Sequence, residues 1–65
     1  MARFEILEQM RILPKPMAIG SADTPAEAVR IAREFEKQGH KVEIGDLQVA
    51  EMYPIATFAA KHGVR

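Results

Sequence analysis

Thr24-Pro25-Ala26-Glu27 and, further on, Gly39 write both ends of one helix into the sequence, and the rest of the chain has to be arranged around it. Thr24 supplies a capping hydroxyl, Pro25 a first-turn residue with no amide hydrogen to leave unpaired, and Glu27 a carboxylate able to reach back to the cap. Gly39 can take the left-handed conformation that closes a helix, which predicts an end at Gln38. At about 100° per residue, Ala28, Ile31, Ala32 and Phe35 fall on one face with Val29 at its edge. Such a stripe needs a core to face.

Past Gly39 the period changes. Val42 and Ile44 alternate with Lys41 and Glu43, predicting a strand buried on one side. Gly45-Asp46 reads as a turn, and Leu47 and Val49 alternate with Gln48 and Ala50 beyond it, so a hairpin is expected. Pro54, the helical spacing of Ile55, Phe58, Ala59 and His62, and the stop at Gly63 predict a short final helix from Pro54 to His62.

The N-terminal third is ambiguous: Phe4, Ile6, Met10 and Ile12 fit a strand, while Ile6, Leu7, Met10 and Leu13 fit a helix. A strand from Arg3 to Leu7 is expected. Pro14-Lys15-Pro16 forces an extended path, and the stretch to Asp23 carries Met17 and Ile19 without helical spacing, so a long irregular connection is expected. If the first strand paired with residues 41–44 in parallel, the crossover would be right-handed. No internal repeat, low-complexity tract or linker interrupts the sequence. Residues 1–65 are therefore expected to form a single small α+β domain, with two to three short strands, one long capped helix packed on the sheet and a short C-terminal helix.

Size limits what this domain can do. A chain of 65 residues buries only about 60% of the surface its unfolded form exposes, so its stability calls for assistance. Cysteine is absent, which removes disulfides, thiolate zinc sites and thiol catalysis together and fits a reducing compartment. Association with a second copy is the assistance that remains. Phe4, Ile6, Leu7, Met10, Ile12, Met17 and Ile19 all precede the long helix, more than one helix can cover, and form the candidate oligomer interface of an expected homodimer. The competing reading wraps this segment around a single core, with Met10 and Met17 filling irregular gaps.

Nine Lys and Arg balance nine Asp and Glu, so no global field draws in nucleic acid or membrane. Met1-Ala2-Arg3-Phe4-Glu5 carries charge where a signal peptide has an apolar run, and no apolar stretch approaches transmembrane length. A cytoplasmic location without membrane contact is expected. Arg30, Arg33 and Lys37 form a stripe on the outer face of the long helix, and with Lys41 they are a candidate nucleic-acid contact. Glu27, Glu34 and Glu36 flank that stripe and would repel phosphates, which favours an ordinary solvated face.

Catalytic chemistry is sparse. His40, Asp46 and His62 offer metal-ligand types, but no short-spaced pair exists and a structural zinc site wants four ligands; both histidines sit where a helix C-terminus favours them as caps. Ser21, Thr24 and Thr57 have no histidine close in sequence. Gly20-Ser21-Ala22-Asp23-Thr24 leads into a helix N-terminus but lacks a Gly-Lys-Ser/Thr ending, and Asp23 stands where an anion would bind. No catalytic residue, cofactor or metal site is assigned. The expected role is a small non-enzymatic protein-binding or assembly module acting as a homo-oligomer, with a nucleic-acid-binding accessory protein as the alternative.

Overall fold

The computed structural model describes residues 2–9 and 15–64, in the order β1 (Phe4–Glu8), β2 (Met17–Ala22), α1 (Pro25–Lys37), β3 (Val42–Asp46), β4 (Glu51–Pro54) and α2 (Ile55–His62). Helix α1 begins and ends where its signals put it. Thr24 is extended and its hydroxyl accepts the Glu27 amide at 3.2 Å, while Gln38 closes the helix and Gly39 leaves it at φ +96°. Ala28, Val29 and Ala32 are buried, with Ile31 and Phe35 packed alongside.

The strands form one four-stranded antiparallel sheet in the order β2-β1-β3-β4, one strand more than expected. The connection after Pro16 is not irregular: it is β2, paired with β1 as Phe4↔Ala22, Ile6↔Gly20 and Leu7↔Ala18. Ile19 is the extra residue of a bulge, so it packs against the core although the alternation on either side of it is out of step. That irregularity and the small side chains of Ala18, Gly20, Ser21 and Ala22 hide the strand from any periodicity argument. Gly20 is also where α1 comes closest, since a Cβ there would lie 3.1 Å from Phe35 Cε2.

Because β2 turns the chain back before α1, β1 meets β3 antiparallel, as Phe4↔Asp46, Ile6↔Ile44 and Glu8↔Val42, and the parallel crossover runs instead from β2 through α1 to β3, with β1 between the two strands. Strand β3 runs on through Gly45 and Asp46 instead of turning there. The turn occupies residues 47–50, with Ala50 at φ +56°, and the returning strand is Glu51–Pro54 rather than 47–50. Gly45 is kept free of a side chain because Leu7 lies across it; a Cβ would stand 2.9 Å from Leu7 Cδ1. Helix α2 begins at Ile55 with Pro54 as its cap residue, and Gly63 ends it at φ +65°.

Both helices lie on one face of the sheet. Phe4, Ile6, Val42 and Ile44 point up from β1 and β3 and meet the apolar faces of α1 and α2. Phe4, Ile6, Ile44 and Phe58 have no exposed surface, and the Phe58 ring stands edge-on to Phe4 with 5.3 Å between centroids. Such an aromatic pair contributes about 0.5–1.5 kcal/mol beyond its area. The order also has a symmetry that the sequence does not announce. Each half is strand, strand, helix, and the halves meet through β1 and β3 about a pseudo-two-fold axis between Ile6 and Ile44.

Candidate binding surface

Among the described residues, no layer covers the sheet face opposite the helices. Alternation and register place Leu7, Ala18, Gly45 and Met52 on it, flanked by Glu5 on one side and Glu43 on the other. Leu7 and Met52 meet over Gly45, whose absent side chain would contact both. Met52 is 48% exposed and Leu7 half-buried, so together they make a small continuous apolar stripe rather than scattered residues. Leu47 and Val49 stand exposed in the turn at one margin, and Met17 is exposed at the start of β2.

The candidate interface residues divide. Phe4 and Ile6 were expected to face a second copy, but both are fully buried in this chain's own core and offer no surface. Ile19 is half-buried against that core. Leu7 and Met17 do reach the surface. Met10 and Ile12 lie outside the described residues. Met52 was missed, although the neighbours Met52 and Tyr53 point to opposite faces as strand residues should; Tyr53 turns inward to Phe58. The Tyr53 hydroxyl donates to the Glu51 carboxylate, and this bond, with burial and nearby negative charge, raises the phenol above its ordinary pKa.

The polar side chains beside the core serve the fold. Asp46 is only 3% exposed, and Arg3 donates to it through Nη2 at 3.3 Å and Nε at 3.5 Å, while the Gln48 amide donates at 3.0 Å. Burial pushes the Asp46 pKa up, but the Arg3 hydrogen bond, the Gln48 amide, the Arg3 charge and the nearby His62 imidazole outweigh it and hold the group below its ordinary 3.8. With the Leu47 amide donating to the Arg3 carbonyl at 2.9 Å, the pair fastens the start of β1 to the turn after β3.

His40 follows α1 as expected, its amide donating to the Phe35 carbonyl at 3.1 Å. Its ring has a further partner, with Nδ1 2.6 Å from Glu8 Oε2 and the ring edge-on to Phe35. His62 lies against Phe58 at 4.4 Å, and its Nε2 is buried without a hydrogen-bond partner among the described residues. His40 and Asp46 flank opposite ends of β3, so His40, Asp46 and His62 do not converge. Among the described residues no three His, Cys, Asp or Glu side chains stand close enough to share a metal ion.

Three of the four candidate nucleic-acid contacts are brought together. Arg30, Arg33 and Lys37 line a shallow groove of about 340 Å³ with Val29 and Val64, and Glu34 stands in the same wall. Lys41 lies apart, beside Leu7 and His40 on an open cleft of about 440 Å³. No helix among the described residues is long and apolar enough to cross a membrane. No family model, curated protein or solved structure matches the chain, so its surface has to be interpreted from its own chemistry.

Proposed function

We propose that the chain is a small non-enzymatic protein-binding or assembly module that acts as a homo-oligomer in the cytoplasm. The observation that carries this reading is the sheet face that no described residue covers: a sheet packed by two helices on one side presents Leu7 and Met52 on the other, with Leu47 and Val49 exposed in the turn at its margin. Apolar surface of this kind in so small a domain is stabilised by a second polypeptide. Light scattering across a concentration series tests it. The expected result is a mass that rises above one chain as concentration increases; a constant single-chain mass from micromolar to millimolar would refute self-assembly.

A second reading, a nucleic-acid-binding accessory protein, is favoured by the groove that gathers Arg30, Arg33 and Lys37. Phosphate contacts there require affinity that falls steeply with salt. Retention of single- or double-stranded nucleic acid that is absent at low salt, or unchanged by Arg30→Glu, would remove this reading.

A further inference from the structure

The assembly reading leaves open which surfaces two copies share, and the inference that follows rests on it. The margins of the sheet are unequal, and neither invites a further strand: β4 is short and carries Glu51 and Pro54, while β2 is kinked by its bulge. Two stacked open faces are a poor choice, because Glu5 and Glu43 flank the apolar stripe and would bring like charges together in a dry contact. These two acids occupy equivalent places about the pseudo-two-fold axis, on one diagonal of the β1–β3 ladder and so about 7–8 Å apart. Leu7 lies across the other diagonal over Gly45, with Met52 beyond it. The helix layer carries the reverse arrangement. In the groove of about 340 Å³ beside α1, Ala26, Val29 and Val64 are the apolar lining, and Arg30, Arg33 and Lys37 stand around them. Arg30 and Lys37 are two helical turns apart, on nearly the same line of α1 and about 10.5 Å from each other along it.

We propose that copies associate head to tail, the open sheet face of one seated on the α1 groove of the next, with Met52 set into the groove and Glu5 and Glu43 facing Arg30 and Lys37. Charge carries the match. With Lys41 at its end, the face holds two acids and one base, whereas the groove holds three bases and one acid, Glu34. Face on groove is therefore attractive, while face on face and groove on groove are repulsive. Among the described residues no side-chain hydrogen bond or ion pair engages Glu5, Glu43, Arg30 or Lys37, so each is available to a second copy. The apolar parts also correspond. Met52 is 48% exposed, and its unbranched side chain suits an irregular groove floored by valines. The long stems of Arg30 and Lys37 can lie over Leu7 while their charged ends reach the acids. Because face and groove belong to opposite layers of one chain, a pair of copies still has one face and one groove unused. The contact therefore repeats, building a ring or an open row rather than a closed pair.

The test is a mixing experiment read by analytical sedimentation on the full chain, with circular dichroism confirming that each variant is folded. Wild type is expected to grow past two chains as concentration rises, and to shrink as added salt screens the charged pairs. Met52→Lys spoils only the face and Arg30→Glu only the groove. Each variant by itself is expected to associate about tenfold more weakly than wild type, or worse. An equal mixture of the two is expected to form a two-chain species that grows no further, because one intact groove meets one intact face. A mixture no larger than either variant alone, or association indifferent to both changes, overturns the face-to-groove contact while self-assembly stands. A wild type that stops at two chains at every concentration does the same, since only a symmetric contact closes there. A wild type that stays single overturns the contact and the assembly reading together. Should either variant unfold, Glu43→Lys replaces the face variant and Lys37→Glu the groove variant, with the same outcomes expected.

Discussion

Removing the ring of Phe58 tests the packing argument most directly. Phe58 has no exposed surface and touches both halves of the fold, with ring centroids 5.3 Å from Phe4, 6.3 Å from Tyr53 and 4.4 Å from His62. Replacing a buried phenylalanine by alanine costs about 3–5 kcal/mol in lost transfer energy and residual cavity. At about 0.05–0.15 kcal/mol per residue, 65 residues give about 3–10 kcal/mol of total stability, so Phe58→Ala is expected to remove from about a third of it to all of it. Ile44→Val deletes one buried methylene beside the pseudo-axis and should cost about 0.5–1.5 kcal/mol. Phe58→Leu falls between them, losing chiefly the edge-to-face contact, about 0.5–1.5 kcal/mol, and some volume. Urea unfolding at one fixed chain concentration measures all three, because association would itself raise the midpoint. Tyr53 is the sole tyrosine and tryptophan is absent, so its emission gives a second probe that reports from beside Phe58. The midpoints should fall in the order Ile44→Val, Phe58→Leu, Phe58→Ala with the slope unchanged. A loss under about 1 kcal/mol for Phe58→Ala would show that the core is organised elsewhere.

Further outcomes follow from the polar contacts. Asp46 has a lowered pKa in the folded chain, so its contribution is present above its ordinary value of 3.8 and disappears as pH falls through the lower folded value. Stability of wild type and Asp46→Asn should therefore differ at neutral pH and converge in acid; a gap that widens on acidification would reverse the assignment. Thr24→Ala removes the side-chain acceptor of the Glu27 amide and is expected to cost about 1 kcal/mol, while Thr24→Ser should be close to neutral, both read from thermal midpoints.

What could be foreseen from the sequence depended on whether a signal was local. Thr24, Pro25 and Gly39 act on backbone groups within a few residues, and α1 accordingly begins and ends where they indicate. Strand β2 could not be recognised in this way, because its partners are the residues of β1 and its own side chains are small. Gly45-Asp46 misled for a related reason. The glycine answers Leu7 from the neighbouring strand and the aspartate answers Arg3, neither of which is near in sequence, whereas the true turn places Ala50 at positive φ with no glycine to mark it. The open face followed the same rule. Leu7 could be named as a candidate contact, but its neighbour Met52 becomes visible only once β3 and β4 are set in register, and the burial of Phe4 and Ile6 only once both helices are known to share one side.

The unequal margins of the sheet bear on how far such a protein can polymerise. An outer strand that accepts a neighbour at both borders would allow unlimited growth into a cross-β filament. Here the border formed by Glu51–Pro54 is short and carries a charge and a proline, both of which discourage a further strand. The same few residues that make β4 a weak strand therefore oppose one of the two routes by which a sheet can grow edge to edge.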